Sequence, residues 1–299
     1  MGINIKYYII SIAAIFISLG IGIFIGFNMN GQELYLKQQQ ILVDSLENRF
    51  SEFKKEKETL EQKIQSLSTE KEKQNTFIEN VFYEVIHDKL SELSIAIIET
   101  TNHYFYDDID ETLRLSGADV PLHIKYTDKI YTVTEEQLKE INDLIGIDLK
   151  KNDDFINLIN NEVTNLFIHK DMTDILKFLI DNKYILYSFD YNKIDQLNID
   201  NVIIAGGSTT NRENKTEQLD INLVKNLQDK GLNVIGVERL DVELSNIPEL
   251  KKLDIPTVDN INTKIGKISL VYVLRGAEGH YGEKSTAESL APFIVTDPS

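Results

Sequence analysis

Residues 94–126 read SIAIIETTNHYFYDDIDETLRLSGADVPLHIKY and contain a complete repeat of strand, helix and strand. The segment 94–99 is compact, apolar and rich in residues that favour strands. Residues 107–116 have the composition of a helix with an acidic first turn, Gly117 follows them, and residues 120–126 return as a strand. This spacing is typical of a βαβ unit, so the stretch predicts an α/β fold.

The same alternation continues towards the C-terminus. The segment VIIA at 202–205 is fully apolar, as expected for a parallel strand buried on both faces. Thr134 and Gln137 have the spacing of a capping box at the start of a helix. Further helices are expected at 134–145, 153–167, 171–182, 217–229, 245–253 and 263–274, and further strands at 233–237 and 256–258. We therefore predict that residues 93–299 form a doubly wound, Rossmann-like domain with a mostly parallel sheet.

A heptad pattern precedes this domain. Its a positions are Leu36, Val43, Phe50, Lys57, Ile64, Lys71, Ile78 and Val85, and its d positions are Gln39, Leu46, Phe53, Leu60, Leu67, Gln74 and Val81. An apolar seam that repeats every 3.5 residues predicts a left-handed coiled coil, which we assign to residues 28–92. An amphipathic helix that folds back on its own domain remains the alternative.

The residues of the seam favour a parallel homodimer. Branched Val and Ile at a, with Leu at d, are typical of two-stranded coils, and the ammonium groups of Lys57 and Lys71 reach water most easily in a dimer. Like-charged pairs between flanking positions, such as Arg49 with Lys54, oppose this arrangement. The residues predicted to dimerise are Gly22, Gly26, Val43, Leu46, Phe50, Phe53, Leu60, Ile64 and Leu67.

Residues 7–27 read YYIISIAAIFISLGIGIFIGF and carry no charge, which predicts a transmembrane helix. A cleaved signal peptide would have a shorter apolar run and a cleavage site of small residues, which residues 27–30 lack. Lys6 precedes the span and Glu33 is the first charged residue after it. The positive-inside rule then places residues 1–6 in the cytoplasm and residues 28–299 outside the cell membrane.

The composition argues against several functions. The net charge of −17 disfavours nucleic acid and anionic lipid as partners, and the absence of cysteine removes disulfides and thiolate chemistry. Gly206-Gly207-Ser208 follows a predicted strand, but no glycine-rich nucleotide motif is present, so a tight turn is the preferred interpretation over a phosphate site at 206–210. His87, His103, His123, His169 and His280 are widely spaced, which does not favour a metal site. We therefore expect neither catalysis nor a cofactor.

Several motifs resemble the bacterial copper-transporter family of the MctB and SteB type. They are Tyr7 and Ser11 with Gly20, Gly22 and Gly26; the strand at 94–99 with Ser116-Gly117-Ala118 and Tyr126-Thr127-Asp128; Val258-Asp259-Asn260-Ile261-Asn262-Thr263 with Gly266; and Gly279-His280-Tyr281-Gly282. The candidate functional motif comprises Asp259, Asn260, Asn262, Thr263, Gly279, His280, Tyr281 and Gly282. Little in residues 146–200 matches.

The resemblance implies a single-pass anchor, a coiled coil and a Rossmann-like domain. It implies either copper export or pore formation, or a role in envelope assembly and cell division beside a SteA-like membrane partner. A single membrane helix makes no channel, and the chain offers few copper ligands, so we favour a dimeric, non-enzymatic scaffold of the cell envelope. Copper transport is the alternative. The sequence leaves open whether 279–282 is a site or a packing element.

Overall fold

The computed structural model describes residues 5–189, 194, 197–209 and 216–292, with the backbone alone at residues 28, 30–34 and 216–218. The chain divides into two compact units, residues 1–74 and residues 75–299. We refer to the second unit as the head.

A single helix, α1 (Ile5–Ile86), contains 82 residues. Its segment Ile5–Phe27 is long and apolar enough to cross a membrane, with a mean hydropathy of 2.6. Residues 32–86 contain neither Gly nor Pro, so no residue type that breaks helices interrupts this part of the helix. The helix ends at Ile86, six residues before the end of the predicted coiled-coil segment, and turns lead from there to the first strand.

A seven-stranded sheet forms the centre of the head, in the order β3-β2-β1-β4-β5-β6-β7. The strands are β1 (Ser94–Glu99), β2 (Asp119–Tyr126), β3 (Ile185–Ser188), β4 (Asn201–Ala205), β5 (Asn233–Val237), β6 (Thr257–Val258) and β7 (His280–Tyr281). All neighbouring pairs are parallel except β2 and β3. The predicted α/β fold with a mostly parallel sheet is confirmed. The edge strands β3 and β7 were not predicted, because each is too short to show a periodic pattern.

Helices cover both faces of the sheet because the central strands are apolar on both faces. Ala96 and Ile98 face one hydrophobic core, and Ile95 and Ile97 face another. The remaining helices are α2 (Asp107–Leu115), α3 (Glu135–Ile145), α4 (Asn152–His169), α5 (Asp174–Asp181), α6 (Asn222–Asp229), α7 (Ile247–Leu250) and α8 (Lys264–Leu274). Short 3₁₀ segments occupy Asp128–Tyr131 and Lys251–Leu253, and a π-helical segment, Thr216–Ile221, precedes α6.

Local signals in the sequence position several of these helices. The Thr134 hydroxyl accepts a hydrogen bond from the Gln137 amide at 3.2 Å, and the Gln137 side chain accepts one from the Thr134 amide at 2.9 Å. This confirms the predicted capping box. Gly146 ends α3 in the left-handed conformation, with φ of 70°.

The last turns of α1 belong to the head. Phe82 and Ile86 are buried in the same core as Ile95, Ile97 and α8, and Val85 packs against that core. The ammonium group of Lys264 lies 4.2 Å from the centroid of the Phe82 ring, close enough for a cation–π attraction. One face of the sheet and the end of α1 therefore share this core.

We expect Ile86→Ala to destabilise the head by about 2–5 kcal/mol, because it removes a fully buried side chain and leaves a cavity. Denaturation of the full chain in urea, followed by the near-ultraviolet circular dichroism of its tyrosines, measures this loss. Tyr83→Ala is the matched control one turn away, since Tyr83 is 47% exposed. Equal effects of the two substitutions would contradict the assignment of Ile86 to the core.

Candidate functional site

The two most specific sequence motifs come together at one edge of the sheet. Thr257 pairs with His280 and Val258 pairs with Tyr281, so β7 extends the sheet beside β6. The Thr257 amide donates to the Gly279 carbonyl at 3.1 Å, and the Asp259 amide donates to the Tyr281 carbonyl at 3.0 Å. The segment 279–282 is therefore an edge strand and the turns that flank it.

Asp259 anchors the chain that follows β7. Its side chain is buried, with 1% of its surface exposed. The carboxylate accepts hydrogen bonds from the amides of Glu283, at 2.8 Å, and Lys284, at 3.2 Å. A Cβ atom at Gly282 would overlap this carboxylate, and the φ of Gly282 is 144°, so glycine is required there for two reasons.

Asn260 and Thr263 form the turn that starts α8. The Asn260 carbonyl accepts from the amide and the hydroxyl of Thr263, each at 2.9 Å, and the Thr263 hydroxyl accepts from the Gly266 amide at 3.0 Å. A Cβ atom at Gly266 would overlap the Asn260 carbonyl. Asn262 accepts from the Leu240 amide at 2.8 Å and so ties this turn to the loop after β5. These residues therefore hold the loops at the carboxyl ends of β5 and β6 together.

His280 and Tyr281 are half-buried on β7. His280 Nδ1 lies 3.0 Å from the Thr257 hydroxyl, and its Nε2 lies 3.9 Å from a carboxylate oxygen of Glu288. Burial lowers the pKa of His280, and the nearby Lys251 lowers it further. The Tyr281 hydroxyl donates to the Glu278 carbonyl at 2.5 Å. His280 also lines a cleft of about 870 Å³ at the amino ends of the neighbouring strands.

Glu238 and Lys284 form a buried ion pair beside these motifs, which the sequence analysis did not single out. The ammonium group of Lys284 lies 2.6 Å from the Glu238 carboxylate, which also accepts from the Ser245 hydroxyl at 2.6 Å and the Asn246 amide at 3.2 Å. Burial raises the pKa of Glu238, and the bonds from Lys284 and Ser245 offset only part of this rise. The one feature of the sequence that could have indicated this pair is the position of Glu238 directly after an apolar strand.

Asp259 and Glu238 together fasten the C-terminal segment to the sheet. Asp259 binds the backbone at residues 283 and 284, and Glu238 binds the side chain of Lys284. A buried carboxylate is costly unless hydrogen bonds or an opposite charge compensate it, and these contacts provide both kinds of compensation. The motif residues therefore position the edge strand, the start of α8 and the loop after β5.

The loop after β4 is packed by side chains of its own chain. The Tyr106 hydroxyl donates to the Gly206 carbonyl at 2.5 Å. An added Cβ at Gly207 would lie 2.7 Å from the methyl groups of Val242, and one at Gly206 would lie 2.9 Å from the amide nitrogen of Asn246. The Val242 and Asn246 side chains therefore pack directly against the two glycines and leave no room for a larger side chain at either position. Thr210, the end of the candidate phosphate segment, lies outside the described residues.

The histidines have separate surroundings. His87 lies 3.1 Å from Asp88, and His123 lies 2.7 Å from the buried carboxylate of Glu99. His103 accepts a hydrogen bond from the Thr209 amide at 3.3 Å. Across the described ranges, no group of three or more His, Cys, Asp or Glu side chains is arranged to hold a metal ion.

The residues predicted to dimerise all belong to the first unit and lie on α1. Added Cβ atoms at Gly22 and Gly26 would meet nothing within 4 Å in the single chain. The seam residues in this set are all exposed, between 46% and 73%, and comprise Val43, Leu46, Phe50, Phe53, Leu60, Ile64 and Leu67.

We expect Lys284→Met to destabilise the head by roughly 3–5 kcal/mol, because it leaves the Glu238 carboxylate buried without its cation. Lys252→Met is the matched control, since the Lys252–Glu249 pair is exposed and contributes about 0–1 kcal/mol. Urea denaturation compares the two. Adding Glu238→Gln to Lys284→Met should recover part of the loss, and a double variant less stable than Lys284→Met would contradict the ion-pair argument.

Gly282→Ala should cost more stability than Gly231→Ala. Both glycines have positive φ, 144° and 79°, but only Gly282 has an obstacle to a Cβ atom, whereas Gly231 has open space around it. The backbone change alone costs about 1–2 kcal/mol, and the overlap with Asp259 adds a further 1–3 kcal/mol, on the order of other overpacked sites. Thermal denaturation of both variants tests this, and equal losses would show that the turn adjusts around Asp259.

Comparison with known proteins extends the resemblance seen in the motifs. A family model described as "Copper transport outer membrane protein, MctB" matches residues 2–292. No curated protein matches the chain. The matched range includes the apolar span, the heptad segment and nearly all of the head, so the suspected relationship is confirmed over almost the whole sequence. The chain belongs to the MctB family of membrane proteins.

Proposed function

We propose that this protein is a membrane-anchored, dimeric, non-enzymatic scaffold that presents its head outside the cell membrane to partners in the cell envelope. The observation that carries the proposal is the combination, in one helix, of an apolar span and an exposed apolar seam. The strand order with parallel neighbours and helices on both faces supports a Rossmann-like relationship for the head.

The seam supports self-association on energetic grounds. Full burial of a Val, Leu, Ile or Phe side chain stabilises a complex by about 1.5–3 kcal/mol. Each chain offers seven such side chains between Val43 and Leu67. The burial energy summed over both copies exceeds the association cost of about 4–15 kcal/mol. A parallel homodimer also brings the faces of Gly22 and Gly26 of two membrane helices together, where small residues allow close approach.

The biological role we favour is cell division or cell-wall remodelling, with a SteA-like membrane protein as the partner. The resemblance to SteB-like proteins supports this choice. The loops at the carboxyl edge of the sheet are fastened by backbone and ion-pair contacts. A surface of this kind keeps its shape on binding, which reduces the ordering cost of docking a protein partner.

Copper transport is the second candidate, because the family is described as one of copper transport. Copper would require soft or imidazole ligands brought together. In the described part of the chain no three His, Cys, Asp or Glu side chains are grouped to hold a metal, so a copper site would need ligands from a second chain or from a partner.

We expect the full chain, solubilised in detergent, to have the mass of two copies by light scattering. Placing charges in the seam with Leu60→Asp and Leu67→Asp should convert it to one copy, because the carboxylates would be buried without partners. Gln62→Asp, on the opposite face of the same turn, is the matched control and should leave the dimer intact. A wild-type chain that is monomeric at micromolar concentration would contradict the proposal.

The choice between the two roles needs a separate experiment. A tagged full chain should retain a SteA-like membrane protein from envelope extracts in the presence of a metal chelator, and deletion should alter division or wall integrity. Titration with copper should show no stoichiometric binding. Tight stoichiometric binding together with greater copper sensitivity of the deletion strain would favour transport over the scaffold.

A further inference from the structure

We propose that the apolar stripe of α1 is divided between two partners. Through Leu67 it binds α1 of a second copy, and from Ile78 onwards it packs against the head of its own chain. This inference rests on the proposed homodimer and names the part of α1 that forms it. The predicted seam from Leu36 to Val85 would then serve association over its first five heptads and folding of the head over its last turns.

The lower part of the stripe has the exposure that a second copy requires. From Val43 to Leu67 the seven apolar seam residues expose about half to three-quarters of each side chain. Burial of each such side chain is worth about 1.5–3 kcal/mol, which at about 25 cal/mol per Å² corresponds to roughly 60–120 Å² of apolar surface. The seven side chains of each of two copies would therefore remove about 800–1,700 Å² of apolar surface from water. This area is comparable with the 1,200–2,000 Å², approximately, of specific protein interfaces.

The upper part of the stripe is already covered within the chain. Ile78 and Val81 are half-buried, and Val85 packs against the head core. Phe82 exposes 6% of its side chain and Ile86 none, and both lie in the core with α8. Val85 is the a position that contacts the core, and Phe82 and Ile86 flank the seam at e and b positions, so the head of the same chain covers the side of the helix that a partner helix would need.

The change of partner coincides with two successive polar seam positions. Lys71 occupies an a position and Gln74 the next d position. A single Lys at an a position, such as Lys57, can extend its ammonium group to water beside a two-stranded seam, but at Lys71 and Gln74 two layers in succession lack apolar contact between copies. The Gln74 side chain points instead to Glu70 of its own helix at 3.5 Å. The compact unit that contains the head also begins at Asn75, directly after Gln74. These two polar layers therefore mark the end of the interface between copies.

Disulfide cross-linking of the full chain in membranes tests the division, since the chain contains no cysteine of its own. Equivalent d residues face each other in a parallel dimer, and a disulfide requires their Cβ atoms to lie about 3.5–4.5 Å apart. Leu60→Cys, Leu67→Cys and Val81→Cys place single thiols at three matched d positions. Gln62→Cys places one on the outer face. Oxidation with diamide is followed by non-reducing gel electrophoresis.

We expect the variants at 60 and 67 to shift from the 34.3 kDa chain to a covalent dimer, and the variants at 62 and 81 to remain monomeric on the gel. Efficient cross-linking at 81 as well as 60 would overturn the division while leaving the dimer intact. Absence of cross-linking at 60 and 67 would overturn the dimer itself, and with it this inference.

Phe82→Ala is a second test, because it should lower the stability of the head without reducing the cross-link at a Cys in position 60.

Discussion

The constraint on which the structure depends is that the central strands are apolar on both faces. Successive residues such as Ile97 and Ile98 point into different cores, so each face of the sheet needs a layer of helices. The chain satisfies this need on one face with α3–α7. On the other face α2 and α8 are joined by the last turns of α1, so the helix that carries the apolar span also completes the core.

Buried carboxylates at the carboxyl ends of the strands are the second organising feature. Glu99 ends β1 and lies 2.9 Å from the ammonium group of Lys125, while Glu238 follows β5 and pairs with Lys284. Asp259 follows β6 and binds backbone amides. These carboxylates are already removed from water, so the loss of a partner would leave a buried charge without compensation, which is costly. The loops at this edge are consequently held by specific contacts and not by apolar packing alone.

The packing of the head bears on function because it determines which residues are exposed to a partner. The family motifs at 258–263 and 279–282 are engaged in building the edge of the sheet and the start of α8, as their hydrogen bonds show. Outside the apolar span, exposed large apolar side chains recur at seam spacing along α1 from Val43 to Leu67. Exposed apolar stripes at helical spacing are typical of surfaces that associate with a second copy or with another protein. Family membership adds copper transport as the competing role.

The sequence by itself determined the α/β class, the long helix, the apolar span and most of the central strands and helices. These depend on local periodicity and on caps such as Thr134–Gln137, which act within a few residues. Only the tertiary structure decided that 279–282 is an edge strand, that Glu238 meets Lys284 across 46 residues, and that the end of α1 lies in the head core. Contacts between residues distant in sequence leave no periodic signal, and a heptad pattern does not reveal whether its seam is covered by another chain or by its own domain.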